Sequence, residues 1–168
     1  MSLTEPRLED RPTQHYVGIP ATVPMQQLPT VIPQLMGEVF AWLDQRQTPP
    51  AGPPLIRWLV IDMEHQVEIE IGVPVADATG GDDARVQPGV LPAGRYLTAV
   101  HTGPYGEQLM HATGAFLDWA AQHGIVWQKT QRGADEVWTA RVEFYPTDPQ
   151  QEPDPEKWQT ELAFLTEA

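Results

Sequence analysis

The hydrophobic pattern changes period in the same order twice, and that repeat limits the fold more than any single motif. In the first half, His15–Thr22 reads as a strand. Val31, Leu35, Val39, Trp42 and Leu43 then recur at helical spacing, and two strands follow at Leu55–Asp62 and Val67–Val75. The second half repeats this order. Arg95–His101 is a strand, a helix runs from Glu107 to about His123 on the stripe Leu109, Met110, Thr113, Phe116, Leu117 and Ala120, and strands are expected at Val137–Tyr145 and Trp158–Leu165. One helix and a few strands bury little alone, so the halves must share a core. The predicted class is α+β: tandem pseudo-twofold β-α-β-β repeats, with antiparallel sheets, both helices on one side and a ligand cleft between the halves.

Punctuation supports this division. Gln47–Pro54 holds four prolines and a glycine and cannot continue the first helix, while Gly124 is placed to stop the second. Glu64–Gln66 reads as a hairpin turn, and Val86–Leu91 as a short strand. Asp77–Asp83 reads as a mobile acidic linker, and Gln128–Asp135 as a polar loop. Residues 1–14 are expected to be a flexible lead and residues 15–168 a single domain, with half-repeats at about 15–76 and 86–168.

Composition then removes function classes. The net charge is −13, with 10 Lys and Arg against 23 acids, which disfavours direct binding to nucleic acid because that needs basic surface. No apolar run approaches the ~18 residues of a membrane span, and no secretory leader is evident, so a soluble cytoplasmic protein is expected, with no membrane partner. Cysteine is absent, the only serine is Ser2 and the only lysines are Lys129 and Lys157, so the usual nucleophiles are lacking. The five histidines show no ligand spacing and no phosphate-binding glycine loop occurs; neither metal nor cofactor is expected.

The stretch with most chemistry is Val137–Tyr145. Strict alternation puts Trp138, Ala140, Val142 and Phe144 on one face and Thr139, Arg141, Glu143 and Tyr145 on the other. With the first face against the helices, Glu143 would point away from them, towards a cleft. Trp42, Phe116, Trp119, Trp138 and Phe144 are expected to pack between sheet and helix. A buried carboxylate raises its pKa or recruits a cation; the competing reading is a solvated glutamate paired with Arg141 or Arg95.

Leu91-Pro92-Ala93-Gly94-Arg95-Tyr96, His101-Thr102-Gly103-Pro104-Tyr105, Glu143-Phe144-Tyr145-Pro146-Thr147-Asp148-Pro149 and Thr160-Glu161-Leu162, in this order, resemble the GyrI-like small-molecule-binding domain. That module is also the effector-binding part of AraC-type and MerR-type multidrug regulators. The resemblance implies a cleft lined by aromatic side chains around a glutamate, which takes lipophilic, often cationic, aromatic compounds. By motif match the glutamate is Glu143 and the turn aromatic is Tyr105; Tyr145, Trp58, Trp127 and Glu70 are the other candidate ligand contacts. Glu68 and Glu70 stand in rough symmetry to Arg141 and Glu143. No DNA-binding segment accompanies the motifs, so a transcription-activator role is not carried over.

Some stand-alone members of the resembled family hydrolyse cyclopropane-bearing alkylating natural products. An enzyme of that kind would use Glu143 and Tyr105 to manage a water and a proton. A third alternative is a protein-interaction module of the gyrase-inhibitor type, for which the residues name no protein partner.

Overall fold

The computed structural model describes residues 2–62, 66–77 and 85–167. Eleven strands and two α-helices are found among them. The strands are β1 (Ser2–Leu3), β2 (Arg7–Arg11), β3 (Gln14–Val23), β4 (Leu55–Ile61), β5 (Val67–Pro74), β6 (Gln87–Leu91), β7 (Gly94–Thr102), β8 (Lys129–Arg132), β9 (Asp135–Trp138), β10 (Arg141–Phe144) and β11 (Gln159–Leu165). The helices are α1 (Leu28–Gln45) and α2 (Glu107–Gln122). The expected turn at Glu64–Gln66 and the acidic linker Asp77–Asp83 fall largely outside the described residues.

The repeat is explicit in the sheet. Its central order is β7-β11-β10-β4-β5-β3, so each half contributes a first, third and second strand, and the halves join where β4 pairs antiparallel with β10. The outer strands are exchanged. β2 leads into β3 but pairs with β7, whereas β6 leads into β7 but pairs with β3. The result is one strongly curled antiparallel sheet, a half-barrel, carrying two helices.

Both helices lie on one face of this sheet. α1 sets Leu35, Val39, Trp42 and Leu43 against β3 and β5, and α2 sets Leu109, Phe116 and Ala120 over β7, in a core that includes Ile69, Ile71, Leu97 and Phe164. Burying a side chain of this size contributes about 1.5–3 kcal/mol, so the helical stripes hold the helices down. α1 begins at Leu28, three residues ahead of the first striped position Val31; Pro29 fits its first turn, and Pro33 forfeits only the bond to Pro29. The opposite face carries a second apolar cluster of Tyr16, Leu55, Leu91, Tyr96, Val142, Phe144 and Leu165. Arg57 on β4 reaches the Val90 carbonyl on β6, three strands away, so the sheet curls towards this face.

Three expectations need correction. The first fourteen residues are not a free lead: β1 and β2 pair with β7, and their charges find partners, as in Arg11–Glu161 at 3.0 Å. The polar loop 128–135 is a hairpin, β8–β9, tied by Lys129–Glu136 at 2.8 Å. Val137–Tyr145 is not one strand. It breaks at Thr139–Ala140, opposite a bulge between Trp58 and Val60 in β4. The break shifts the alternation, so Trp138 shares a face with Arg141 and Glu143, while Phe144 packs on the other face and away from the helices.

Candidate functional site: a buried carboxylate in an aromatic groove

Glu143 lies at the seam of the two halves, opposite Ile56 of β4 and Leu162 of β11. Those neighbours belong to the helix-bearing core, so Glu143 faces the helices rather than away from them. It is only 7% exposed. Since α1 rests on β3 and β5 and α2 on β7, the central strands β4 and β10 run between the helices. The floor of that groove is therefore strand backbone carrying one carboxylate.

Aromatic side chains supply the walls. The Trp58 indole Nε1 donates to Glu143 Oε1 at 2.5 Å. The Tyr145 hydroxyl lies close enough to the same carboxylate to favour its charged form. Tyr105 meets the Tyr145 ring edge-on, with centroids 5.5 Å apart, and lies against Trp158 at 4.7 Å. The turn that presents Tyr105 uses Gly103 and Gly106 at φ +144° and +78°, values that favour glycine. Gly103 N–H donates to the Trp158 carbonyl at 2.8 Å, locking turn to strand. Trp58, Tyr105, Tyr145 and Trp158 are each half-buried, so a sealed carboxylate sits beneath rings that still meet solvent.

Burial pushes the Glu143 carboxyl above the ordinary glutamate range; the Trp58 N–H, the Arg141 charge and the Tyr145 hydroxyl oppose the rise. Burial also pushes the Tyr145 hydroxyl well up, and the Glu143 charge adds to the effect. Tyr105 rises through burial and the nearby Asp148 charge. A carboxyl of this kind can accept a cation or hold a proton beside a phenol.

Of the residues singled out from sequence, Glu143, Trp58, Tyr145 and Tyr105 come together. Trp127 stands in an adjoining cluster, stacked on Phe116 with centroids 6.0 Å apart and 5.6–5.8 Å from Phe164 and Trp138. Glu70 does not belong. It is on the opposite face, where it accepts from Tyr16, and its strand β5 corresponds by repeat order to β11 rather than to β10. Trp158, read from sequence as the opening of a strand, was missed; its indole is pinned to the Glu152 carbonyl at 2.7 Å by a proline-rich bend that carries no period.

The expected hollow is filled by the chain itself, through the Trp58 indole and the Tyr145 phenol. Two cavities described lie elsewhere. One, of about 450 Å³, is lined by Val60, Asp62, Gln66, Glu68, Arg132 and Asp135; the other, of about 310 Å³, lies along β1, β2 and β7. No group of residues with metal-ligand geometry occurs among the described residues.

Sequence comparison decides the family. A family model for the GyrI-like small molecule binding domain matches residues 4–165. The chain belongs to the GyrI-like family. Solved structures share this GyrI-like fold at low identity. The C-terminal domain of EcmrR matches at 19% identity and TM-score 0.72, over 97% of both chains. SAV2435, solved with tetraphenylphosphonium bound, matches at 16% and 0.67, over 98% of this chain and 95% of its own. A structure described as a hydrolase from Listeria innocua matches at 16% and 0.59, over 96% and 91%. Comparison with curated proteins found no match.

Proposed function

We propose that this GyrI-like chain binds lipophilic, planar, preferably cationic aromatic compounds in the groove between α1 and α2, with Glu143 as the counter-charge. The observation that carries this is the pairing of a 7% exposed carboxylate with half-exposed rings. Paying the cost of burying that charge without a fixed cation makes sense in a site that receives one. A ligand enters by displacing the Trp58 indole from Glu143 and stacking among Trp58, Tyr105, Tyr145 and Trp158; a cation over such a ring gains ~0.5–2 kcal/mol. The tetraphenylphosphonium held by SAV2435 is a lipophilic aromatic cation, tetrahedral rather than planar. A net charge of −13 also suits cations better than nucleic-acid phosphates.

The test is a titration with tetraphenylphosphonium and, as a neutral counterpart, triphenylphosphine oxide, read by tryptophan fluorescence. The wild type should bind the cation more tightly, and Glu143→Gln should lose that preference while retaining the neutral compound. Equal affinity of both proteins for the cation contradicts the reading.

A second reading is favoured by the contact of the Tyr145 hydroxyl with Glu143: hydrolysis of a cyclopropane conjugated to a carbonyl. Water oxygen bonds to a ring carbon and gives its proton to Glu143. The electron pair of the breaking C–C bond moves into the carbonyl system, which takes up a proton from a tyrosine, and the sum is addition of one water. Tyr145 is better placed for that proton than Tyr105, which reaches Glu143 only through it. Mass spectrometry of a cyclopropane-bearing alkylator incubated with the protein should reveal a water adduct that Glu143→Gln does not form; no adduct with wild type removes this reading for that substrate.

A further inference from the structure

Arg141 sits two residues from Glu143 on the same strand face, roughly 7 Å along the backbone. Its guanidinium is stacked, 4.8 Å from the ring centres of both Trp138 and Phe164. The two rings lie 5.7 Å apart and crowd the guanidinium from neighbouring sides, so its N–H donors are left to find acceptors elsewhere. Among the described residues none is supplied: Arg141 forms no ion pair, and its Nε is sealed from solvent without a hydrogen-bond partner.

The two carboxylates close enough to act on Arg141 by charge, Glu143 and Glu136, are both engaged elsewhere. Glu136 takes Lys129 at 2.8 Å and the Trp138 indole at 3.3 Å, and Glu143 takes the Trp58 indole. An arginine held only to pack could be replaced by an apolar side chain without leaving a donor unmet, and a buried unmet donor costs about 1–3 kcal/mol. The aromatic walls also extend to this place, since Trp127 lies 5.6 Å from Phe164 and 5.8 Å from Trp138.

We infer that Arg141 forms an anion-accepting end of the groove, so that the preferred ligand is an aromatic compound carrying a carboxylate or comparable anionic oxygen in addition to its cationic part. This rests on the reading of the groove as a ligand site. It narrows that reading from lipophilic cations to amphoteric aromatics, with the anionic oxygen against the Arg141 edge and the positive part towards Glu143.

Rhodamine B and its ethyl ester share one cationic ring system and differ only in a free carboxylate. Fluorescence anisotropy with the wild-type chain should give tighter binding of the acid by about tenfold or more, the value of a hydrogen bond to a charged group. Arg141→Met, which keeps the bulk between the two rings, should erase the difference and leave the ester's affinity within about threefold. Arg141→Lys should retain part of the preference, since it keeps the charge and loses the planar fork. Circular dichroism melts establish that each variant is folded, and the wild-type comparison of the two dyes stands without them. Equal binding of acid and ester, tighter binding of the ester, or a preference that survives Arg141→Met overturns the inference while leaving the groove a ligand site. Binding of neither dye overturns both.

Discussion

The sheet carries the same three groups on its two faces, and they are connected differently. On the face towards which the sheet curls, Glu70, Tyr16 and Arg57 form a connected set, with only the Arg57 Nε left without a partner among the described residues. The Tyr16 hydroxyl donates to Glu70 at 2.7 Å, and Arg57 donates to Tyr16 at 2.9 Å, to the Val90 carbonyl at 3.0 Å and to the Thr139 carbonyl at 2.7 Å. On the helix-bearing face, the Tyr145 hydroxyl lies beside Glu143, yet Arg141 makes no hydrogen bond or ion pair among the described residues. Arg57 uses both terminal nitrogens on Tyr16, on β6 and on the break before β10, so it fastens the curl; Arg141 makes no such bond among the described residues. On the proposed reading, the difference separates a structural network from a ligand site.

The largest expected effect falls on the Arg57 set. Arg57→Met removes three hydrogen bonds and leaves two carbonyls and a hydroxyl short of a donor, so unfolding free energy should drop by roughly 2–4 kcal/mol in a denaturant titration. Arg141→Met should not lower it, because no acceptor is left unpaired and a buried donor without a partner is removed. Similar losses for the two would erase the distinction between the faces.

Glu143 gives the next effect, with a sign that depends on pH. Its folded pKa is raised, so the folded state binds the proton more tightly than the unfolded chain does. Its contribution is therefore most favourable below the ordinary glutamate pKa, and stability falls as pH rises through the raised value. Glu143→Gln should flatten that fall and stabilise the protein by about 1–2 kcal/mol at neutral pH, as removal of a desolvated charge does. Melting temperatures recorded from pH 4 to 8 check it. A variant less stable than wild type throughout would mean the carboxylate is well compensated where it lies.

Trp58→Phe should have a smaller consequence. It removes the donor that opposes the rise of Glu143, so the carboxyl should titrate higher still, at a stability cost of about 1 kcal/mol. NMR titration reads the first quantity and thermal melts the second. An unchanged titration would mean that the 2.5 Å contact does not hold in solution.

Much of the fold was legible because period survives in long elements. Val67–Pro74 alternates without fault, and the stripes of α1 and α2 mark their buried faces, so repeat order and the shared core could be read directly. The short edges could not. β2 is Arg-Leu-Glu-Asp-Arg and β8 is Lys-Thr-Gln-Arg, and charged strands exposed along an edge carry no alternation to detect. Glu143 and Tyr105 were named from their match to the family motifs, Tyr145 because it stands beside Glu143, and Trp58 because it lies on the second strand. The side of the sheet they face was not legible. A bulge near Leu59 and the break at Thr139–Ala140 shift the alternation, and period never states which face the helices cover. Glu70 was misassigned for the same reason.

The central claim is that Glu143 is a buried acid waiting for a cation. Carbon-13 labelling of the glutamates, with Glu143→Gln to assign the resonance, allows its carboxyl to be titrated with and without tetraphenylphosphonium. The account predicts a pKa above the ordinary glutamate value in the free protein that drops once the cation is bound; a carboxyl that titrates at the ordinary value and ignores the cation contradicts it.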